Sequence, residues 1–311
     1  MKNLLIPALA LTVAGLCLCG IVLLNSIEER TDNMQQYTYN TQKIDLEGVA
    51  NARQLGGYVI GGRTVRQDVL LRSGNLSMAS DAAVDSLVNR YHVAHVFDFR
   101  SSIERDSAPD REISGSCYHS LPCLEQMLLR IAAAGKLNVK PSGDVNKIAE
   151  DLLDMVIHPE VKQMADSMYP AIVFDEAAQH HYGIFLKTLA SMPDGKAAIW
   201  HCSQGKDRCG WASALLLAAL GAERDLIVAD FALSNVGYQD MIDRTVAKAQ
   251  EMGLAEDHIN TIYAMIGVSV DNFNSTYDAI ISRYGSMDTY LTDFLGCDRT
   301  MREVLRSKFL Q

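Results

Sequence analysis

Apolar residues along the chain fall into two kinds of pattern, and together they outline a mixed fold. Ala197-Ala198-Ile199-Trp200 is short and apolar and is entered from Pro193-Asp194-Gly195-Lys196, which predicts a buried strand following a turn. Val93 to Phe99 and Tyr118 to Leu121 read the same way. Tyr58-Val59-Ile60, bracketed by Gly56-Gly57 and Gly61-Gly62, predicts a hairpin whose return strand ends near Val69-Leu70-Leu71. Ser80-Asp81 caps a helix to about Val88. Trp211 to Leu220 is apolar on every side and is closed by Gly221, as suits a buried helix with a glycine C-cap. Helical spacing also appears at Leu124, Met127, Leu128 and Ile131 and at Ile148, Leu152, Met155 and Val156, with a polar turn over Lys136 to Asp144 between them. Further helices are expected over Ala177–Leu189, Asp225–Leu233, Gln239–Met252, Ile259–Ile266, Ser269–Tyr284 and Met287–Leu295. The sum is an α/β domain with a mostly parallel central sheet of about four or five strands flanked by helices, and a helical C-terminal third.

The start of the chain follows a different rule. Leu4 to Leu24 carries no charge, Lys2 precedes it, and Glu28, Glu29 and Arg30 follow. Residues 1–26 therefore read as a signal peptide or a membrane anchor. The length leans toward an uncleaved anchor, since a signal core is usually ~7–15 apolar residues and a span needs ~20. Lipid attachment at Cys17 or Cys19 is a third option, which the residues before each fit poorly. Residues 27–43 are polar and read as a tether, leaving 44–311 as one globular domain in which 122–168 is a helical insertion. That insertion is either a lid or extra core. The domain is expected to be exported, in the periplasm or outside the cell, with the membrane touched only by the N-terminal segment.

At 311 residues, 48% hydrophobic and 21% charged, the chain has an ordinary globular composition. A formal net charge of −10 argues against nucleic acid and anionic lipid surfaces as general partners, so any positive potential has to be local.

Local positive potential is expected at Ile199 to Gly210, IWHCSQGKDRCG. Strand, tight loop and helix N-terminus bring unpaired N–H groups together where the helix dipole favours an anion, and phosphate suits it. A thiol at the base of such a loop ionises easily, which makes Cys202 the candidate nucleophile. Arg208 offers a planar fork for two phosphate oxygens. Asp207 is the nearest acid for a leaving alkoxide or phenolate, and afterwards the base for water. Ser203, Gln204, Gly205 and Lys206 would line the anion, with Lys206 free to meet the phosphoryl group or a second phosphate. The spacing fits no nucleotide P-loop, and His201, Cys202 and Cys209 lack zinc-ligand spacing, so neither metal nor cofactor is expected. Asp98 and Arg100 end a parallel strand, where open α/β sheets collect ligands; they either border the pocket or form an ion pair tying strand to loop.

His201-Cys202-Ser203-Gln204-Gly205-Lys206-Asp207-Arg208 resembles the HCxxGKDR loop of bacterial tyrosine phosphatases that also hydrolyse phosphoinositides. Asn51 to Tyr58, Leu71 to Ser77, Val96 to Ser101 with Glu104-Arg105, Tyr284-Gly285-Ser286 and Tyr290-Leu291 are similar to the same family. The resemblance implies a protein-tyrosine-phosphatase-like fold over about Ile44 to the C-terminus. It also implies cysteine-dependent hydrolysis of phosphotyrosine or phosphoinositides through a phosphocysteine, and a site reached by Arg53, which could otherwise be a surface charge paired with an acid. An inactive relative that only binds phosphorylated ligands is the alternative. One position departs from the family pattern: Cys209 stands where relatives carry Thr or Ser. It is either a thiol able to trap Cys202 under oxidation or a small buried substitute.

Overall fold

The computed structural model describes residues 39–133 and 159–311. Strands β1 (Arg53–Gln54), β4 (Leu70–Ser73), β5 (Val93–Asp98), β6 (Cys117–Ser120) and β7 (Ala197–His201) form a five-stranded sheet in the order β1-β4-β7-β5-β6. Only β1 runs antiparallel to its neighbour. β7 is buried at every residue and sits in the middle, because a strand that is apolar up to its final His201 needs cover on both faces. The hairpin differs from the one expected. β2 (Val59–Ile60) turns at once into β3 (Arg63–Thr64), and Leu70–Ser73 joins the main sheet instead. Gly61 and Gly62, at φ 56° and 76°, supply the positive angles that a two-residue turn demands, so the return strand starts directly after them.

Helices cover both faces. α1 (Asp81–Asp85) is capped by Ser80, whose hydroxyl accepts the Ala83 N–H at 3.2 Å. α2 (Ser102–Ser107) begins in a capping box between Ser101 and Glu104. Then come α3 (Glu125–Ala133), α4 (Pro159–Phe174), α5 (Glu176–Ser191) and α6 (Asp207–Leu220). All fourteen residues of α6 are buried, as its apolar circumference predicts. α7 (Arg224–Gly237), α8 (Gln239–Glu251), α9 (Glu256–Ile266), α10 (Val270–Tyr284) and α11 (Arg299–Phe309) complete the helical third. α11 is absent from the sequence reading because it is largely charged and buries only Arg302, Leu305 and Phe309. Its end pairs with β3, Thr64 and Gln311 exchanging two backbone bonds of 2.9 Å. α8 and α9 share a small core of their own around Ile242, Val246, Ala249, Ile262 and Ile266.

The compact unit begins at Tyr39, so the last residues assigned to the tether belong to it: Tyr39–Gln42 forms a helical turn and Lys43 bridges Arg53. The apolar stretch Leu4–Leu24, the turn Lys136–Asp144 and the helix expected over Ile148–Val156 lie outside the described residues. Among those described, no helix is long and apolar enough to cross a membrane.

Behind the loop at the end of β7 lies a buried charge cluster. Asp230 of α7 accepts from Arg72 at 2.6 Å and from the Tyr58 hydroxyl at 2.9 Å, with Arg53 Nε 3.7 Å away. All of these side chains are inaccessible. Removing the acid strands two guanidinium groups without a counter-charge, so Asp230→Asn is expected to cost about 3–5 kcal/mol. A urea midpoint equal to that of the parent would show that the arginines are balanced elsewhere.

Candidate active site

The loop from Cys202 to Lys206 is shaped by where its carbonyls point. Ser203 O accepts from Asn75 N at 3.2 Å and from Asn75 Nδ2 at 2.9 Å. Gln204 O accepts from the Tyr238 hydroxyl at 2.7 Å. Gly205 O accepts from Asn51 Nδ2 and from Arg72, each at 3.0 Å, and Lys206 O accepts from Arg72 at 3.3 Å. In a planar trans peptide the C=O and the following N–H point opposite ways. Four carbonyls drawn outward therefore turn the N–H groups of residues 204–207 inward, around the space above Cys202. Gly205 at φ 68° fits because a Cβ there would lie 2.3 Å from the backbone of Ser73. α6 then starts at Asp207 with no side chain capping its first turn, leaving its dipole directed at the same space.

Cys202 is buried at the floor of this loop. Burial alone would raise its pKa, yet the thiol of Cys209, the charge of Arg208 and the Cys209 N–H outweigh that and hold it well below the ordinary cysteine value. Cys209 is thus one of the groups that favour the Cys202 thiolate. Its own pKa is raised by burial and by the Cys202 thiolate, so it stays a neutral donor. Its sulfur also lies 3.7 Å from the carbonyls of Ser73 and Trp200. Both cysteines are free thiols. Arg208 is gripped by Glu104 through two parallel bonds of 2.6 and 2.7 Å, which orient the guanidinium plane at the loop. Glu104 is itself fixed by the Ser203 hydroxyl at 2.5 Å and by the Ser101 N–H at 2.9 Å. Its carboxyl stays far below the usual range: burial opposes this, but the Arg208 charge and these bonds prevail.

Asp207 opens α6 with its pKa raised, chiefly by burial and further by Cys202, against the lowering effects of Lys206, Tyr169 and Arg208. Tyr169 of α4 donates to its Oδ1 at 3.0 Å. Lys206 turns away from the loop interior. Its Nζ donates to Met265 O, and to Gly267 O at 2.7 Å, at the end of α9, and lies 3.8 Å from Asp207 Oδ2. Burial lowers its pKa.

Cys202, Arg208 and Asp207 thus meet at one place, with Cys209 beside them. Ser203 and Gly205 shape the loop, Ser203 spending its hydroxyl on Glu104. Gln204 stands exposed on the rim. Asp98 takes the second of its two expected positions: its oxygens are bonded by Arg100 and by the Tyr118 hydroxyl at 2.6 Å, with His201 Nδ1 at 3.7 Å. Asp98, Asp110 and His201 carry ligand atoms within 4.8 Å of one another, but the Arg100 guanidinium already joins the two acids. Arg53 is wholly buried behind the loop, donating to Asn51 Oδ1 at 2.7 Å and so aiming Asn51 at Gly205. The sequence reading assigned no role to Asn51, Arg72, Glu104, Tyr169, Asp230 or Tyr238. Asp230 left one sign, a lone acid inside the apolar run Ile227-Val228-Ala229-Asp230-Phe231.

A parallel sheet ending in an amide-lined loop, with a buried thiol at its floor and a braced arginine at its helix start, defines a protein-tyrosine-phosphatase-like phosphoric monoester hydrolase. The chain belongs to the tyrosine phosphatase family, whose family model matches residues 44–311. It is 30% identical over 258 residues, 82% of its length and 85% of the relative's, to "Putative tyrosine-protein phosphatase H16_A0669" of Cupriavidus necator. It is 26% identical over 279 residues, 80% of its length and 92% of the relative's, to "Triple specificity protein phosphatase PtpB" of Mycobacterium tuberculosis.

The role of Cys209 as donor to the thiolate can be read by titration. In Cys209→Ala the pH midpoint for alkylation of Cys202 should rise by about one unit, the value of one bond to a charged group, while Cys209→Ser should hold it. Equal midpoints in all three proteins would show that the second thiol does not stabilise the first.

Proposed function

We propose that the chain hydrolyses phosphotyrosine and phosphoinositide monoesters by two displacements at phosphorus, with Cys202 as nucleophile. The Cys202 thiolate attacks phosphorus, the P–O ester bond breaks, and the leaving oxygen takes the proton of Asp207. Water then gives a proton to the Asp207 carboxylate as its oxygen attacks the phosphocysteine. The S–P bond breaks, returning thiolate and inorganic phosphate. Arg208 and the inward N–H groups hold the equatorial oxygens through both steps. The reading rests on one juxtaposition: a thiol held ionised and a carboxylic acid held toward its protonated form face the same amide-lined space. Acceptance of more than one ester class is supported by a relative named for triple specificity.

Cys202→Ser should abolish turnover while phosphate still binds, because loop and arginine are untouched. Rapid acid quench of the parent with an aryl phosphate should leave one phosphoryl group on the peptide carrying Cys202, detected by mass spectrometry. A phosphoryl group on any other residue would overturn the assignment.

Export belongs to the same proposal, carried by the uncharged stretch Leu4–Leu24 behind Lys2. Protease added to intact spheroplasts of the expressing cell should digest the domain. Protection that ends only on lysis would place it in the cytoplasm and dismiss the leader.

A further inference from the structure

Tyr169 belongs to the excursion between β6 and α5, far in sequence from the loop, yet its hydroxyl meets the side chain of Asp207 in the interior. Its ring is set edge-on against Trp211 at 6.5 Å and 72° and against Phe231 at 5.7 Å and 87°. Those two rings stack on Phe273 at 4.4 and 4.2 Å. The tyrosine is 2% exposed, so its position is fixed by packing as well as by the hydrogen bond. The phenol has a single proton to give, and it gives it to Oδ1 of Asp207.

That arrangement bears on proton transfer. A carboxylic acid carries its proton on one oxygen, and an oxygen receiving a hydrogen bond is the one that stays bare. We infer that Tyr169 is a positioning residue for the general acid: by binding Oδ1 it fixes the carboxyl plane and leaves Oδ2 to carry the proton given to the leaving group. This rests on the assignment of Asp207 as the acid. The groups that face Asp207 are Lys206, whose Nζ is 3.8 Å from Oδ2, the Cys202 thiolate, Arg208 and Tyr169 itself. Of these, Tyr169 alone is both uncharged and bonded directly to the carboxyl. Its bond favours the ionised carboxylate and so tempers the rise caused by burial and by Cys202. The acid is thereby kept strong enough to release the proton that burial makes it hold.

Without the phenol hydroxyl the Asp207 pKa rises, and since the acid works only when protonated, the alkaline limb of its activity moves to higher pH. Tyr169→Phe keeps the ring among Trp211, Phe231 and Phe273 and removes only the donor. The test uses the full chain with 4-nitrophenyl phosphate, a good leaving group, and phenyl phosphate, a poor one. In Tyr169→Phe, kcat for phenyl phosphate should fall about tenfold, a fraction of the ~10²–10⁴ an acid contributes, with little loss on 4-nitrophenyl phosphate. The alkaline limb of kcat/KM for phenyl phosphate should rise by about half a unit to one unit. Equal losses on both esters with an unmoved limb would reduce Tyr169 to packing and overturn the inference. Asp207→Asn is the reference. If that variant loses both esters equally and keeps its alkaline limb, Asp207 is not the acid and the inference falls with that assignment, whatever Tyr169→Phe does.

Discussion

The site depends on the outward pull on the loop carbonyls. A stretch of five residues cannot by its own propensities point several N–H groups at one spot, because each outward carbonyl needs a partner to repay the loss of water. Asn51, Arg72, Asn75 and Tyr238 are those partners, and they come from three different segments. Arg72 is the most constrained of them, since it serves two successive carbonyls while its charge is met by buried Asp230. Burying such a pair gains little net free energy, and its value is in direction: a guanidinium with one end fixed by Asp230 can only point the other at Gly205 and Lys206. Arg53 repeats the arrangement one step removed, through Asn51.

Within the loop, opposite electrostatic demands are met a few residues apart. Cys202 is held toward its thiolate although it is buried, and Asp207 toward its protonated form although cations lie near it. Arg208 serves the first need, and Glu104 prevents its charge from dominating the second by taking both prongs of the guanidinium. Lys206 is drawn off to the carbonyls at the end of α9, so its charge reaches the acid at a distance rather than as a direct bond. The ordering of charges is thus set by which partner each side chain is given, more than by the bare residue types in the loop.

The bonds of Lys206 and Tyr238 also fasten the loop to the α8–α9 pair, which has a separate apolar core and borders the site without adding a strand to the sheet. Tyr169 fastens it on another side to the excursion before α5. The phosphate loop is therefore the point where sheet, helical third and excursion are joined.

Much of this was legible in the sequence because it is local. The strand of Ala197–Trp200, the buried α6 with its glycine stop, the spacing of Cys202 to Arg208 and the mostly parallel sheet all follow from periodicity and residue type over a few positions. Asp207 and Arg208 open α6 close to Cys202 because the loop ends where the helix starts. What remained hidden was long-range pairing. The partner of Leu70–Ser73 is β7 rather than β2, and nothing near Leu70 says so, since strand pairing is decided by which faces the completed core must bury. Charged α11 docks through two apolar residues, too few to make a period. Arg53, a candidate for the pocket, is turned to Asp230 and Ser234 far away in the chain, whereas the pairing of Asp98 with Arg100 is local. Lys206, an open cation in the one-dimensional reading, has its direction set by two carbonyls some sixty residues later. The sequence by itself determined where the ionisable groups and the helix start lie, because those are local properties; tertiary structure alone decided where each charge points, because a buried charge must turn to whichever distant partner offsets its lost hydration.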